Sequence, residues 1–177
     1  NRLILRQWKD SDREIFAELN ADAETLKFFP KLLTREQSNA FVDKTIDIID
    51  TKGYGLFALE VKETQKFIGF TGLAKPNFEA SFMPCTEIGW RLHKSSWRQG
   101  FASEAATKVL EFAFQELKKE EIVSFTSELN IPSIKVMEKI GMTHDESGDF
   151  PHPNVEDGHK LKQHVLYRIA ASDFKLL

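Results

Sequence analysis

The sequence predicts a single α/β domain over residues 1–177, with a mixed sheet carrying helices on both faces. Three observations lead there. Residues 57–61 and 67–73 each alternate apolar and polar side chains, and only the short polar stretch 62–66 separates them, so they read as a β-hairpin. From residue 86 onward, strand and helix patterns take turns, the order that builds βαβ units. The chain of 177 residues is also long enough for one sizeable core and short for two.

The elements follow in order. Residues 3–5 begin a short strand. A helix opens at Ser11 and runs to about Asn20, with Ile15, Phe16 and Leu19 on one face. Thr34 caps a second helix, and Gln37 completes a capping box, in which each end of the motif satisfies the other's free amide. Its apolar positions Phe41, Thr45, Ile48 and Ile49 keep helical spacing. After the hairpin, residues 86–92 form a strand with Ile88, Trp90 and Leu92 on one face and Glu87 and Arg91 on the other. A long helix spans about 102–119, its stripe running through Ala105, Val109, Phe112, Ala113 and Leu117. Residues 122–127 are a strand. Pro132 fits the first turn of a helix that continues to Ile140 and stops at Gly141. Residues 164–169 alternate again and close the domain. Phe28 and Phe29 read as core. The loop 77–84 is weakly patterned, with Phe78 and Phe82 expected to be exposed and the loop a candidate lid.

The bulk composition narrows the function. Net charge is 24 − 27 = −3, too mild for a nucleic-acid or anionic-membrane partner. One cysteine, Cys85, excludes an internal disulfide framework and a multi-cysteine metal site, and fits a reducing compartment. No apolar run approaches the roughly 18 to 20 residues of a membrane span. The opening residues are too short and charged for a signal peptide, so the expected location is cytoplasmic. His152, His159 and His164 lack a helix-based ligand spacing, so no metal is expected.

The most informative segment is Trp97-Arg98-Gln99-Gly100-Phe101-Ala102-Ser103-Glu104, between a strand and the long helix. The first turn of a helix has unpaired N–H groups and a partial positive charge. A glycine there admits close backbone approach, which suits a pyrophosphate. An ordinary strand-to-helix connection can carry the same glycine. Context decides between them. The segment resembles the acyl-CoA pyrophosphate loop of the GNAT superfamily of N-acetyltransferases, with Gly100 and Ala102 matching and Trp97 at a position that is usually Arg or Gln. That Trp, the strand Glu87-Ile88-Gly89-Trp90-Arg91-Leu92, and the run Asn130-x-x-Ser133-x-x-Val136-x-Glu138-Lys139-x-Gly141-Met142 together resemble the ribosomal-protein N-terminal (Rim-type) branch.

That resemblance implies a mostly antiparallel sheet with one splayed strand pair. Acetyl-CoA, the co-substrate, would enter between the strand ending at Leu92 and the one starting near Ile122. Backbone groups of Trp90 and Leu92 would pair with the pantetheine arm. Arg98, Gln99, Gly100, Phe101, Ala102 and Ser103 would hold the pyrophosphate. Asn130 would contact the arm, although as a plain helix cap it needs no further role. Many family members place a Tyr acid where this chain has Met137, and Met137 cannot donate a proton. Ser133, one turn earlier, is then the candidate acid. Glu87 and His152 are the candidate bases. Residues 28–30, 53–55 and 77–84 are candidates for recognising the acceptor. The implied partner is a primary amine, on a peptide N-terminus or a small molecule, and a homodimer is compatible. A non-catalytic acyl-CoA-binding protein is the competing expectation. A nucleotide-binding protein is a weaker one, because no lysine-bearing phosphate loop is present.

Overall fold

In the computed structural model, which describes residues 2–175, the strands assemble into one eight-stranded sheet. In chain order the elements are β1 (Leu3–Arg6), α1 (Asp12–Ala21), α2 (Arg35–Lys52), β2 (Leu56–Val61), β3 (Lys66–Ala74), β4 (Glu87–Leu92), α3 (Phe101–Gln115), β5 (Glu121–Ser127), α4 (Ile131–Lys139), β6 (Thr143–His144), β7 (Phe150–Pro151) and β8 (Gln163–Ala170). Across the sheet the order is β1-β2-β3-β4-β5-β8-β6, with β7 also on β8. Every pairing is antiparallel except β4 with β5.

Helices cover both faces. On one, Phe16 and Leu19 of α1 and Val42 and Ile49 of α2 pack with Trp8 against Ala58 and Phe70 of the sheet. On the other, Ala106, Val109 and Leu110 of α3 and Met137 of α4 pack against Ile88, Ile122, Tyr167 and Ile169. Burying each large apolar side chain contributes roughly 1.5–3 kcal/mol, so the two layers clamp the sheet between them. Thr34 and Gln37 form the expected reciprocal capping box. Among the described residues no helix is long and apolar enough to cross a membrane, and no cluster of three or more His, Cys, Asp or Glu is placed to hold a metal ion.

Four details differ from the sequence expectations. Ile15 is 39% exposed, because α1 buries the arc through Phe16, Leu19 and Asn20 instead. The long helix stops at Gln115 rather than Lys119. Lys118 adopts a left-handed conformation and the Lys119 amide turns back to the Ala113 carbonyl, reversing the chain into β5. The two-residue strands β6 and β7 are too short to show any alternation. Phe82 is buried, at 9% exposure, rather than exposed. It sits against Phe150 and Phe125, with Phe78 stacked on Phe150, so the loop 77–84 is packed onto β5 and β7.

Candidate active site

The central feature is a gap in the sheet. β4 and β5 pair in register only at Glu87 and Val123. There the Val123 amide donates to the Thr86 carbonyl, and the Ser124 hydroxyl donates to the Ile88 carbonyl at 2.9 Å. The strands separate beyond this point. The His93 amide donates to Ile68 of β3, and backbone bonding alternates along an antiparallel strand. Gly89 and Arg91 therefore bond to β3, and the backbone groups of Ile88, Trp90 and Leu92 turn toward β5. The Trp97 indole N–H donates to the Leu92 carbonyl at 2.8 Å. This leaves the amide and carbonyl of Trp90 and the amide of Leu92 directed into the gap. It also gives Trp97 a structural task, since its ring pins the following turn to the end of β4.

That turn ends in Gly100, which has φ 79° and caps α3. Arg98 is also left-handed, with φ 59°. The Glu104 amide is the first to find a helical partner, the Gly100 carbonyl, so the amides of Phe101, Ala102 and Ser103 have none. Arg98, Gly100, Phe101, Ala102 and Ser103 line a groove of about 900 Å³, with Lys135, Val136 and Lys139 on its far wall. Gln99 does not line it. Its side chain donates to the Ser95 carbonyl and its own carbonyl accepts from Arg2.

A second cavity of about 360 Å³ opens on the α1/α2 side. The two spaces share six wall residues: Phe28, Phe29, Trp90, Arg91, Asn130 and Ser133. Asn130 is the helix cap, accepting from the Ser133 amide at 3.3 Å while its amide group donates to Thr126. Met137 is fully buried and lines the smaller cavity. Glu87, His152 and His164 line the smaller cavity as well, amid Phe41, Phe70 and Phe125.

The charges in this cavity are unusual. Glu87 forms no ion pair or hydrogen bond with the described residues, and burial pushes its carboxyl up to about 8. Its carboxyl leans over Gly89: a Cβ there would lie 3.8 Å from Glu87 Oε1. Arg91 Nη1 donates to Asn20 Oδ1 at 2.6 Å, and the guanidinium lies over Phe29 at 4.2 Å and Phe70 at 5.4 Å. Its Nε is sealed from solvent without a partner among the described residues, and burial lowers the group to about 10. The His152 ring is 4.8 Å from that of His164. His152 Nδ1 accepts from the Asn154 amide, and burial, reinforced by Lys162, lowers its pKa. His164 Nδ1 faces the Lys162 carbonyl, which fixes the proton there and leaves Nε2 as an acceptor. Burial pushes this imidazole down to about 4, so it is neutral at physiological pH.

Comparison with known proteins places this geometry. The family profile "Acetyltransferase (GNAT) domain" matches residues 2–143. The chain belongs to the GNAT acetyltransferase family. An uncharacterized N-acetyltransferase, YnaD, of Bacillus subtilis is 32% identical over 142 residues, covering 80% of this chain and 79% of that protein. The crystal structure of a GNAT-family acetyltransferase from Bacillus anthracis superposes with a TM-score of 0.80 at 28% identity, covering 97% of this chain and 96% of the other. A ribosomal-protein-S5-alanine acetyltransferase from Vibrio fischeri has a TM-score of 0.72 at 17% identity, covering 99% and 97%, which shows a shared fold.

In this GNAT N-acetyltransferase the gap therefore brings together Trp90, Leu92, Asn130, Ser133 and the Gly100 turn around one groove, and Glu87 and His152 around the cavity behind it. Phe28 and Phe29 correct the expectation of core positions, since they are walls of both spaces and Phe29 is 38% exposed. Residues 53–55 lie apart from both. Gly53 is the left-handed cap of α2, and the Tyr54 ring meets Lys119. The loop 77–84 backs His152 through Phe78, at 4.8 Å, and lines neither space. Arg91 and His164 were not anticipated as site residues. The signal for both was strand phase: Arg91 shares the Glu87 face of β4, and His164 shares the Leu166 face of β8.

Proposed function

We propose that the chain is one cytoplasmic catalytic domain that moves the acetyl group of acetyl-CoA to a primary amine, with an N-terminal α-amine as preferred acceptor, and that it belongs to the Rim-type branch. The observation that carries this is the junction of the two spaces at the unpaired edge of β4. The groove fits the extended cofactor: the pantetheine arm adds to the free edge of Trp90 and Leu92 as a strand would, and the pyrophosphate meets the unpaired amides at Phe101 to Ser103. The smaller cavity takes the amine. Trp97 and the text of β4 support the Rim-type branch.

The chemistry follows from the residues at the junction. The amine nitrogen attacks the thioester carbon, and negative charge builds on the carbonyl oxygen. The Trp90 amide, free in the gap, donates to that oxygen. The C–N bond forms, the C–S bond breaks, and the departing thiolate takes a proton from Ser133. Glu87 receives one proton of the ammonium before attack, and the second proton of the attacking nitrogen passes to the Ser133 oxygen and restores its hydroxyl. An α-ammonium has a pKa of about 7.7–8.0 and a lysine about 10.4. With Glu87 near 8, proton transfer from an α-amine is close to thermoneutral, and from lysine it is uphill.

Two outcomes test this. Ser133→Ala is expected to lower kcat about tenfold while leaving acetyl-CoA affinity within a few-fold. Its hydroxyl has no protein partner among the described residues, and a thiol near pKa 8–9 needs only modest help to leave. Steady-state kinetics beside calorimetric titration separates the two effects, and an unchanged kcat removes Ser133 as the acid. For the acceptor, a lysine-free peptide with an open N-terminus is expected to outperform its N-blocked, lysine-containing counterpart by at least tenfold in kcat/KM. Acetylation of the blocked peptide alone, followed by mass spectrometry, contradicts the α-amine preference.

A further inference from the structure

Arginines elsewhere in this protein are neutralised. Arg2, Arg6, Arg13, Arg35 and Arg168 all form ion pairs, which is five of the seven in the chain. Arg91 and Arg98, which form no ion pair among the described residues, both line the spaces at the gap. Arg98 lies on the turn proposed for the pyrophosphate. Arg91 has a different position. The alternation of β4 sends its side chain to the α1/α2 face, the face of Glu87, while Trp90 and Leu92 pack toward α3. A guanidinium held among Phe29, Phe70 and a neutral Asn20 is costly to bury unless an anion joins it.

The geometry of the group shows what it can take. Nη1 is committed to Asn20. Neither Nε nor Nη2 has a protein partner among the described residues; Nε is sealed from solvent, and Nη2 is the donor left to meet a carboxylate in the cavity. Contact with the Phe29 and Phe70 rings holds the guanidinium in place. Glu87 stands on the same strand face, leaning toward Arg91 over the bare backbone of Gly89, also without a partner among the described residues. The cavity thus presents a carboxyl group and a guanidinium on one strand face, with the bare backbone of Gly89 between them. Its walls are Phe28, Phe29, Phe41, Phe70 and Phe125.

We propose that Arg91 binds an acidic group on the acceptor, so that the acceptor is an α-amine carrying a carboxylate on its own residue, with the amine toward Glu87 and the acid on Nη2. The acid is either the α-carboxylate of a free amino acid or the side chain of an acidic first residue in a peptide. A polycationic amine would set a like charge beside Arg91 and is excluded by the same arrangement. This inference rests on the assignment of the smaller cavity to the acceptor.

Matched pairs test it. L-phenylalanine is compared with L-phenylalaninamide, and peptides beginning with Asp or Glu with the same peptides beginning with Asn or Gln. Spermidine serves as the polycation. The acidic member of at least one pair is expected to exceed its neutral partner by tenfold or more in kcat/KM, and the pair that does so identifies the source of the acid. Arg91→Gln should erase that preference by raising the KM for the acidic acceptor, with acetyl-CoA affinity within a few-fold of the parent. Arg91→Lys keeps the charge but loses the Nη2 donor, and should fall between. Equal use of both members in every pair, or a preference for spermidine, overturns the proposal. So does an Arg91→Gln protein that loses acetyl-CoA affinity and keeps the preference. Binding of N-acetyl-L-phenylalanine against its amide, and of the N-acetylated acidic peptides against their neutral partners, to the protein saturated with CoA is measured alongside by calorimetry. If no amine is turned over yet an acid form binds at least tenfold tighter through Arg91, the transfer reaction fails and the anion site stands. If the acid and neutral forms bind alike, the anion site fails.

Discussion

Glu87→Gln is expected to stabilise the protein at neutral pH and to lower kcat/KM about 100-fold. Both effects come from one cause, the burial of an unpartnered carboxyl. Its folded pKa of about 8 lies above the unfolded value near 4.3. The folded state therefore holds the proton more tightly, and the side chain favours folding fully only below about pH 4.3. That contribution is lost as pH rises from there to about 8. At pH 7 the loss is about 2 kcal/mol once incomplete burial is allowed for, which for a chain of this length corresponds to roughly 5 °C in Tm. Gln carries no such cost. Melting curves of parent and variant should coincide near pH 4 and diverge as pH rises, with the variant higher. Removal of a general base costs about 10²–10⁴-fold in rate, and the parent's kcat/KM should climb with pH up to about 8. A variant that melts lower at pH 7, or that keeps full activity, contradicts the role given to Glu87.

Gly100→Val is expected to weaken acetyl-CoA binding about 100-fold in a protein that still folds. At φ 79° the residue occupies left-handed space, where a side chain costs about 1–2 kcal/mol or more for a β-branched one. The added Cβ itself meets only Arg2 Nη2 at 3.5 Å, an ordinary contact, so the core is undisturbed. The valine methyl groups obstruct the approach of a phosphate, or else the turn relaxes and re-aims the amides of Phe101 to Ser103. Either way two charge-assisted hydrogen bonds, worth about 1.5–3 kcal/mol each, are weakened. Calorimetric titration with acetyl-CoA, beside a circular-dichroism melt, checks this. Unchanged affinity in the folded variant removes the turn from the cofactor site.

Much of the fold was legible because its signals are local. The hairpin announced itself by alternation around a polar turn, α2 by its capping box, and α4 by Pro132 and the left-handed Gly141. The alternation of β4 separated Glu87 and Arg91, on the α1/α2 face, from Ile88, Trp90 and Leu92, which pack toward α3. What escaped depends on contacts between distant segments. Phe28 and Phe29 stood both as core residues and, with Pro30, as candidates for recognising the acceptor, and their exposure as cavity walls is set by packing between distant segments. Phe82 looked exposed because nothing local shows that Phe125 and Phe150 will cover it. His164 was hidden inside an ordinary strand alternation. Its place in the cavity wall beside His152 depends on the pairing of β7 with β8, which brings the residue after β7 to the same spot. That Arg91 has no counter-ion among the described residues is likewise invisible in the sequence, because it depends on which distant side chains the fold brings beside β4.

The central claim is that the junction at the edge of β4 transfers an acetyl group from CoA to an amine. The most direct test incubates the purified chain with acetyl-CoA and a panel of peptides, amino acids and polyamines, and measures free CoA thiol and acetylated amine in the same sample. Equal amounts of the two products, formed only with enzyme and an acceptor amine, are the predicted result. Release of CoA without an acetylated amine, or tight binding of acetyl-CoA with no transfer to any member of the panel, would contradict it.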